Sequence, residues 1–213
     1  MPMKTSPLVL LPILTACFGT PEARFPPGLE PLGELRVAAD SSNVDQEEGL
    51  LMEAGIDEDI WVHARGFVHA DVQTVWEALQ DEEVFIDRRA VSTYTIEWDT
   101  EPEYDISLVV SQEVEDIITV AYDVAWRQGL IQGSAEAPEI VSARFQKIDG
   151  TSFIERMEGS ILLIDVGDNR TEFQFQEHMD TPMPDTSDLE SYVTDLYDEL
   201  LLHVRGKDLP NYE

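Results

Sequence analysis

The stretch VHADVQTVWEALQD, Val68–Asp81, decides the fold. Just before it, residues 61–70 alternate, with Val62, Ala64, Gly66, Val68 and Ala70 on one side, the period of a strand. Asp71 then stands at an N-cap position, and Val72, Val75, Trp76 and Leu79 share one face of a helix. Asp81 caps a second short helix running to about Arg89, with Val84 and Phe85 turned inward.

Downstream the chain reads as a series of strands at 91–98, 106–114, 118–128, 139–148, 153–166 and 170–179. Asp149-Gly150 and Gly167-Asp168-Asn169 mark turns between them. Asp185–Arg205 reads as a long amphipathic helix after Pro182 and Pro184, with Leu189, Tyr192, Val193, Leu196, Leu200 and Val204 as its apolar stripe. Such a stripe must be buried, and an antiparallel sheet with one apolar face is the partner this chain offers. The fold class is therefore α+β: a curved antiparallel sheet of about seven strands around a long C-terminal helix, with two short helices after the first strand.

This order of elements, together with Val68–Asp81, resembles the helix-grip fold of the START-like (SRPBCC, polyketide cyclase-like) superfamily over residues 60–209. The resemblance implies a cavity between sheet and helix for lipids, polyketides or other apolar molecules. Members of that superfamily include binders as well as cyclases, dehydratases and hydrolases, so the resemblance does not choose a chemistry.

Candidate cavity residues follow from strand parity. Phe173, Phe175 and Glu177 share one face of 170–179, and Tyr122 and Trp126 share one face of 118–128. Tyr192, Leu196 and His203 lie on or beside the stripe of the last helix. An inward Glu177 near Tyr122 would serve as a hydrogen-bond anchor or a general base. The plain alternative puts Glu177 at the rim, solvated or paired with an arginine, and leaves the aromatic residues as core. His63 and His69 stand six residues apart on one strand, roughly 20 Å, too far to share a metal. His178 falls on the polar parity of its strand, where solvent exposure is expected. The acidic loops 99–105 and 165–169 offer oxygens but match no EF-hand pattern and read as solvated turns. No nucleophile triad, phosphate loop, metal set or cofactor motif can be assembled.

The N-terminus carries a different signal. Lys4 precedes an uncharged run, Pro7–Ala16, which is too short to span a bilayer and ends in Leu14-Thr15-Ala16-Cys17. This resembles the lipobox of bacterial lipoproteins, which implies cleavage after residue 16 and lipidation of Cys17, the only cysteine. With Phe18 rather than an Asp after it, the resemblance implies the periplasmic face of an outer membrane. The expected organisation is a signal peptide (1–16), a proline-rich acidic tether (17–59), the helix-grip domain (60–209) and a tail (210–213), with one or two helical turns within 46–54.

Composition limits the partners. Thirteen Lys+Arg against 44 Asp+Glu give a net charge of −31, which repels phosphate backbones and excludes nucleic acid as a partner. Lysine is scarce, as in proteins of saline habitats. The expected function is binding of a hydrophobic small molecule or lipid by an anchored domain. An enzyme using cavity carboxylate and hydroxyl groups, or an envelope interaction module, are the rivals.

Overall fold

The computed structural model describes residues 23–37, 48–115 and 118–212. Cys17 and the signal-like segment lie outside the described residues. Eight strands form one antiparallel sheet: β1 (Leu50–Ile56), β2 (Ile60–Val68), β3 (Thr93–Trp98), β4 (Ile106–Glu115), β5 (Thr119–Ser134), β6 (Ala137–Gly150), β7 (Arg156–Gly167) and β8 (Arg170–Asp180). Their order across the sheet is β1-β2-β8-β7-β6-β5-β4-β3, so β3 to β8 form a meander that returns to pair with β2. Three helices complete the fold: α1 (Val72–Ala78), α2 (Glu82–Phe85) and α3 (Ser187–Val204). This is the helix-grip arrangement expected from the sequence.

Local chemistry accounts for the element ends. The Asp71 carboxylate accepts from the Thr74 amide and that of Asp81 from the Glu83 amide, so both expected N-caps form. The second helix stops at Phe85 rather than near Arg89, because Ile86 is already extended. Asp168 and Asn169 both adopt positive φ in the two-residue turn between β7 and β8, as a hairpin of matched twist requires. Asp149-Gly150, by contrast, is no tight turn: it ends β6, with Asp149 still paired to Asp123 beside a bulge, and residues 151–155 make the connection.

Helices α1 and α3 lie side by side on the concave face, α1 over β6 and β7 and α3 over β1 and β2. An aromatic seam ties α2 and α3 to the strands. Phe85 meets Trp126 at 5.2 Å between ring centres, Trp126 stacks on Phe145 at 4.4 Å, Phe145 reaches Phe175 at 6.0 Å, and Phe175 meets the α3 residue Tyr192 at 6.0 Å. Gly159 provides the floor for Phe145, since a Cβ there would fall 1.9 Å from the ring's Cζ.

Two segments differ from the expected tether over 17–59. Residues 46–54 are not helical: Leu50–Ile56 is an edge strand in register with β2, making the eighth strand of the sheet. Met52 and Ala54 pack against the core, a gain in burial that no isolated turn of helix could match. Residues 29–36 form a strap over the convex face. In order, Leu29 carbonyl accepts from Ser142 Oγ (2.7 Å), Glu30 carbonyl from Arg144 (3.2 Å), Leu32 amide donates to Ser160 Oγ (3.2 Å), Gly33 amide to Gln176 Oε1 (3.2 Å) and Arg36 amide to His63 Nδ1 (3.0 Å). These anchors step across β6, β7, β8 and β2, roughly 15 Å of sheet, which an extended chain of this length spans. The buried Leu29 side chain sits against Gly129 on β5, where no Cβ obstructs it.

The strap also explains the histidines. His63 is buried, and its Nε2 lies 3.1 Å from His178 Nε2, so His178 is partnered rather than merely solvated. Because His63 Nδ1 accepts from Arg36, its ring proton is on Nε2 and is donated to His178. Burial, then His178 and Arg36, hold His63 down to about 4. Its folded value lies below the ordinary 6.5, so the stability that depends on neutral His63 is fully present above pH 6.5 and is lost as pH falls towards 4, by up to about 1.4 kcal/mol per pH unit. Hydrogen exchange at the Arg36 amide, corrected for intrinsic rate, is expected to lose protection between pH 6.5 and 4. Unchanged protection would show that His63 does not hold the strap.

Candidate functional site

On β8 the inward parity runs Phe173, Phe175, Glu177, each fully buried. Glu177 pairs in register with Val62 on β2 and Gly159 on β7, which places a carboxyl inside the apolar face of the sheet. It is 2% exposed, and its Oε2 has no hydrogen-bond partner. Burial, with Asp87 adding to it, pushes the Glu177 carboxyl up to about 8, so the group is protonated at neutral pH.

Three further polar groups lie within electrostatic reach of Glu177. Asp87, in the connection after α2, accepts the amides of Arg89 and Ala90, yet burial still raises its pKa. Tyr192 on α3 donates its hydroxyl to the Phe85 carbonyl at 2.9 Å, and burial, then Glu177 and Asp87, raise it. Tyr122 on β5 is pushed up to about 12, mainly by burial, with Gln112 opposing and Glu177 reinforcing. No hydrogen bond links Glu177 to Tyr122 among the described residues.

Two spaces lie near this group, and Glu177 lines neither of them. Beneath α2 and α3 a cavity of about 10 Å³, room for one water, is walled by Ile86, Asp87, Tyr192, Leu196, Glu199 and Tyr212. Along β3, β4 and β5 an open groove of about 460 Å³ is lined by Ser111, Glu113, Asp123 and Asp149 on the outward parity and by Tyr94, Gln112 and Tyr122 on the inward one. The aromatic seam occupies the centre of the concave face beside the long helix. Trp126, Phe173 and Phe175 are enclosed by protein, whereas Tyr192 and Leu196 border the small cavity and Tyr122 borders the groove.

His203 stands apart from this group: its Nε2 meets Asp81 Oδ2 at 3.0 Å, at the N-cap of α2. Sequence parity found Glu177 but missed Asp87, whose importance comes only from the turn after α2. It also missed Glu199, buried on α3, which accepts from Arg88 at 3.0 Å and from Tyr212 at 2.8 Å. Gln128 was missed as well, buried and accepting from Trp76 Nε1 at 2.8 Å. A polar residue on an apolar parity was the available signal for Gln128. No group of three or more potential metal-ligating side chains occurs among the described residues.

The human StarD13 (DLC2) lipid transfer and protein localization domain superimposes with a TM-score of 0.53 at 7% identity, over 75% of this chain and 85% of that one. Human StAR-related lipid transfer protein 5 gives 0.52 at 12% identity, over 76% of this chain and 84% of that one. Both share the helix-grip fold. The sequence matches no family and no curated protein.

The Glu177 arrangement makes a stability prediction. Its folded value lies above the ordinary 4.5, so the native state holds a proton that the unfolded state releases. Its contribution is favourable only below pH 4.5 and is lost, at up to about 1.4 kcal/mol per pH unit, as pH rises through 8. Glu177→Gln is expected to become progressively more stable than the parent across that window in urea titrations. A pH-independent difference would mean that Glu177 is not buried as a neutral acid.

Proposed function

We propose that this helix-grip domain binds an apolar small molecule or lipid tail, with Glu177 as the polar anchor of the site. The observation that carries this reading is the unpartnered Glu177 Oε2 inside an apolar interior. A domain whose interior served stability alone would gain by replacing that carboxyl with a hydrocarbon, since an unsatisfied buried polar group costs about 1–3 kcal/mol. Buried acids with strongly raised pKa values cluster at functional sites for this reason. The groove beside Tyr122 has the volume of a small-molecule site, and Tyr122 connects it electrostatically to Glu177. Glu177 lines neither space, so a ligand that reaches it requires side chains of the aromatic seam to move, and binding is coupled to a local opening. The two human neighbours are lipid-transfer domains by name; at such low identity they support the fold, and the ligand reading rests on Glu177.

The reading includes an address. Leu14-Thr15-Ala16-Cys17 supports lipidation at Cys17 and anchoring to a bacterial envelope, with the outer membrane's periplasmic face as the site. Two or more acyl chains suffice for stable attachment. Residues 38–47 would then connect the strap to β1, and only the segment before the strap would serve as tether.

Two measurements check these statements. Native mass spectrometry of the protein purified from its own host is expected to show a bound small molecule that is lost on unfolding, and repeated absence of any bound mass would count against ligand binding. Cys17→Ala is expected to move the protein from the membrane fraction to the soluble fraction; retention in the membrane would remove the lipoprotein reading.

A further inference from the structure

The chain turns back on itself after α3. Gly206, at φ 62°, ends the helix with the pair of bonds that a left-handed residue makes there: its amide donates to the His203 carbonyl at 2.9 Å, and the Lys207 amide donates to the Leu202 carbonyl at 3.0 Å. Residues 207–212 then run back along α3 instead of leaving the domain. Leu209 packs against the core, the Pro210 carbonyl accepts from Arg88 at 3.2 Å, and the Tyr212 hydroxyl donates to Glu199 Oε1 at 2.8 Å. Glu199 lies about two helical turns before Gly206, so the tail covers the second half of α3.

Arg88, from the connection after α2, clasps this end of the chain. It also donates to Glu199, at 3.0 Å, and its guanidinium carbon lies 5.5 Å from the centre of the Tyr212 ring. Glu199 is 3% exposed and Tyr212 37%. The tyrosine therefore has one side in solvent and the other on the small cavity, which it walls together with Asp87, Arg88, Tyr192 and Leu196. Arg88 Nε is buried there without a partner. This closure is made by a few polar bonds and one half-exposed ring, and lifting it gives Arg88 Nε access to water, so it belongs among the contacts that open locally before the core does. Behind the cavity stands Tyr192, which meets Phe175 in the aromatic seam.

We propose that residues 207–212 are a latch: Tyr212, held by Glu199 and Arg88, closes an entrance between α3 and the connection after α2, and its release opens the small cavity towards Tyr192. The turn at Gly206, with open space around its Cα, is the pivot. As a moving part the latch is independent of any ligand. As the gate for a ligand that must displace the seam, it rests on the binding reading above.

Thiol labelling of the full chain reads the movement directly. In a Cys17→Ala background, Leu196→Cys places a thiol on the cavity wall and Val193→Cys places one on the same helix, fully buried and away from the cavity. Labelling by methyl methanethiosulfonate, a small neutral reagent, is expected to be slow at both positions. Adding Tyr212→Ala should speed it about tenfold at position 196, the factor that loss of one hydrogen bond to a charged group brings, and leave position 193 unchanged. Tyr212→Phe keeps the ring over Arg88 and should give a smaller acceleration. Circular dichroism checks the fold of each variant, and Ile86→Cys, on another wall of the cavity, replaces Leu196→Cys if that variant does not fold. No acceleration at the cavity thiol, or equal acceleration at position 193, would overturn the latch. A missing bound mass in native mass spectrometry would count against the ligand reading alone and leave these rates as they are.

Discussion

The contact on which this structure depends is the aromatic seam from Phe85 through Trp126, Phe145 and Phe175 to Tyr192. It joins α2, β5, β6, β8 and α3, elements far apart in the chain, and each ring pair adds about 0.5–1.5 kcal/mol beyond its area burial. The seam is possible because Gly159 lets Phe145 lie flat on the sheet. Because these rings fill the centre of the concave face, open volume is displaced to the margin over β3–β5. The seam thus sets both the stability of the grip and the location of the space that a ligand would use.

Against this apolar block, Glu177 is the exception that gives the interior a chemical character. Its neutral form is tolerated among Val62, Gly159 and the rings, and its charged form is not. The opposite face of the sheet solves a different problem. There the small polar groups Ser142, Ser160, Gln176 and His63 would otherwise face solvent, and the strap uses them as a line of anchors. One face is sealed by apolar burial and the other by polar stitching.

Much of this was legible in the residues. Asp71 and Asp81 announced two helices because an N-cap acts on its own next turn, without tertiary help. Period-two patterning gave the inward parity of Phe173, Phe175 and Glu177, and α3 buries Leu189, Val193, Leu196 and Leu200 as its spacing required. The strap was not legible, since proline-rich extended chain has the same local composition whether it hangs in solvent or lies on a sheet. Nor was β1: Leu50, Met52 and Ala54 alternate over too short a span, next to an acidic run, to distinguish an edge strand from a loop. Tyr197 and Glu199 on α3 were outside the expected stripe because they are buried by β2, Arg88 and Tyr212 rather than by the centre of the sheet.

The sequence by itself determined most of the elements, β1 excepted, which way the side chains of the later strands point, and that a carboxyl at position 177 faces inward, because caps and periodicities act within a few residues. Only the tertiary structure decided whether the concave face is hollow or filled, that Asp87 joins Glu177, and that residues 29–36 are fastened to the convex face. Those outcomes depend on how strand curvature, a glycine under a ring and segments distant in the chain meet in space, and no local pattern encodes such meetings.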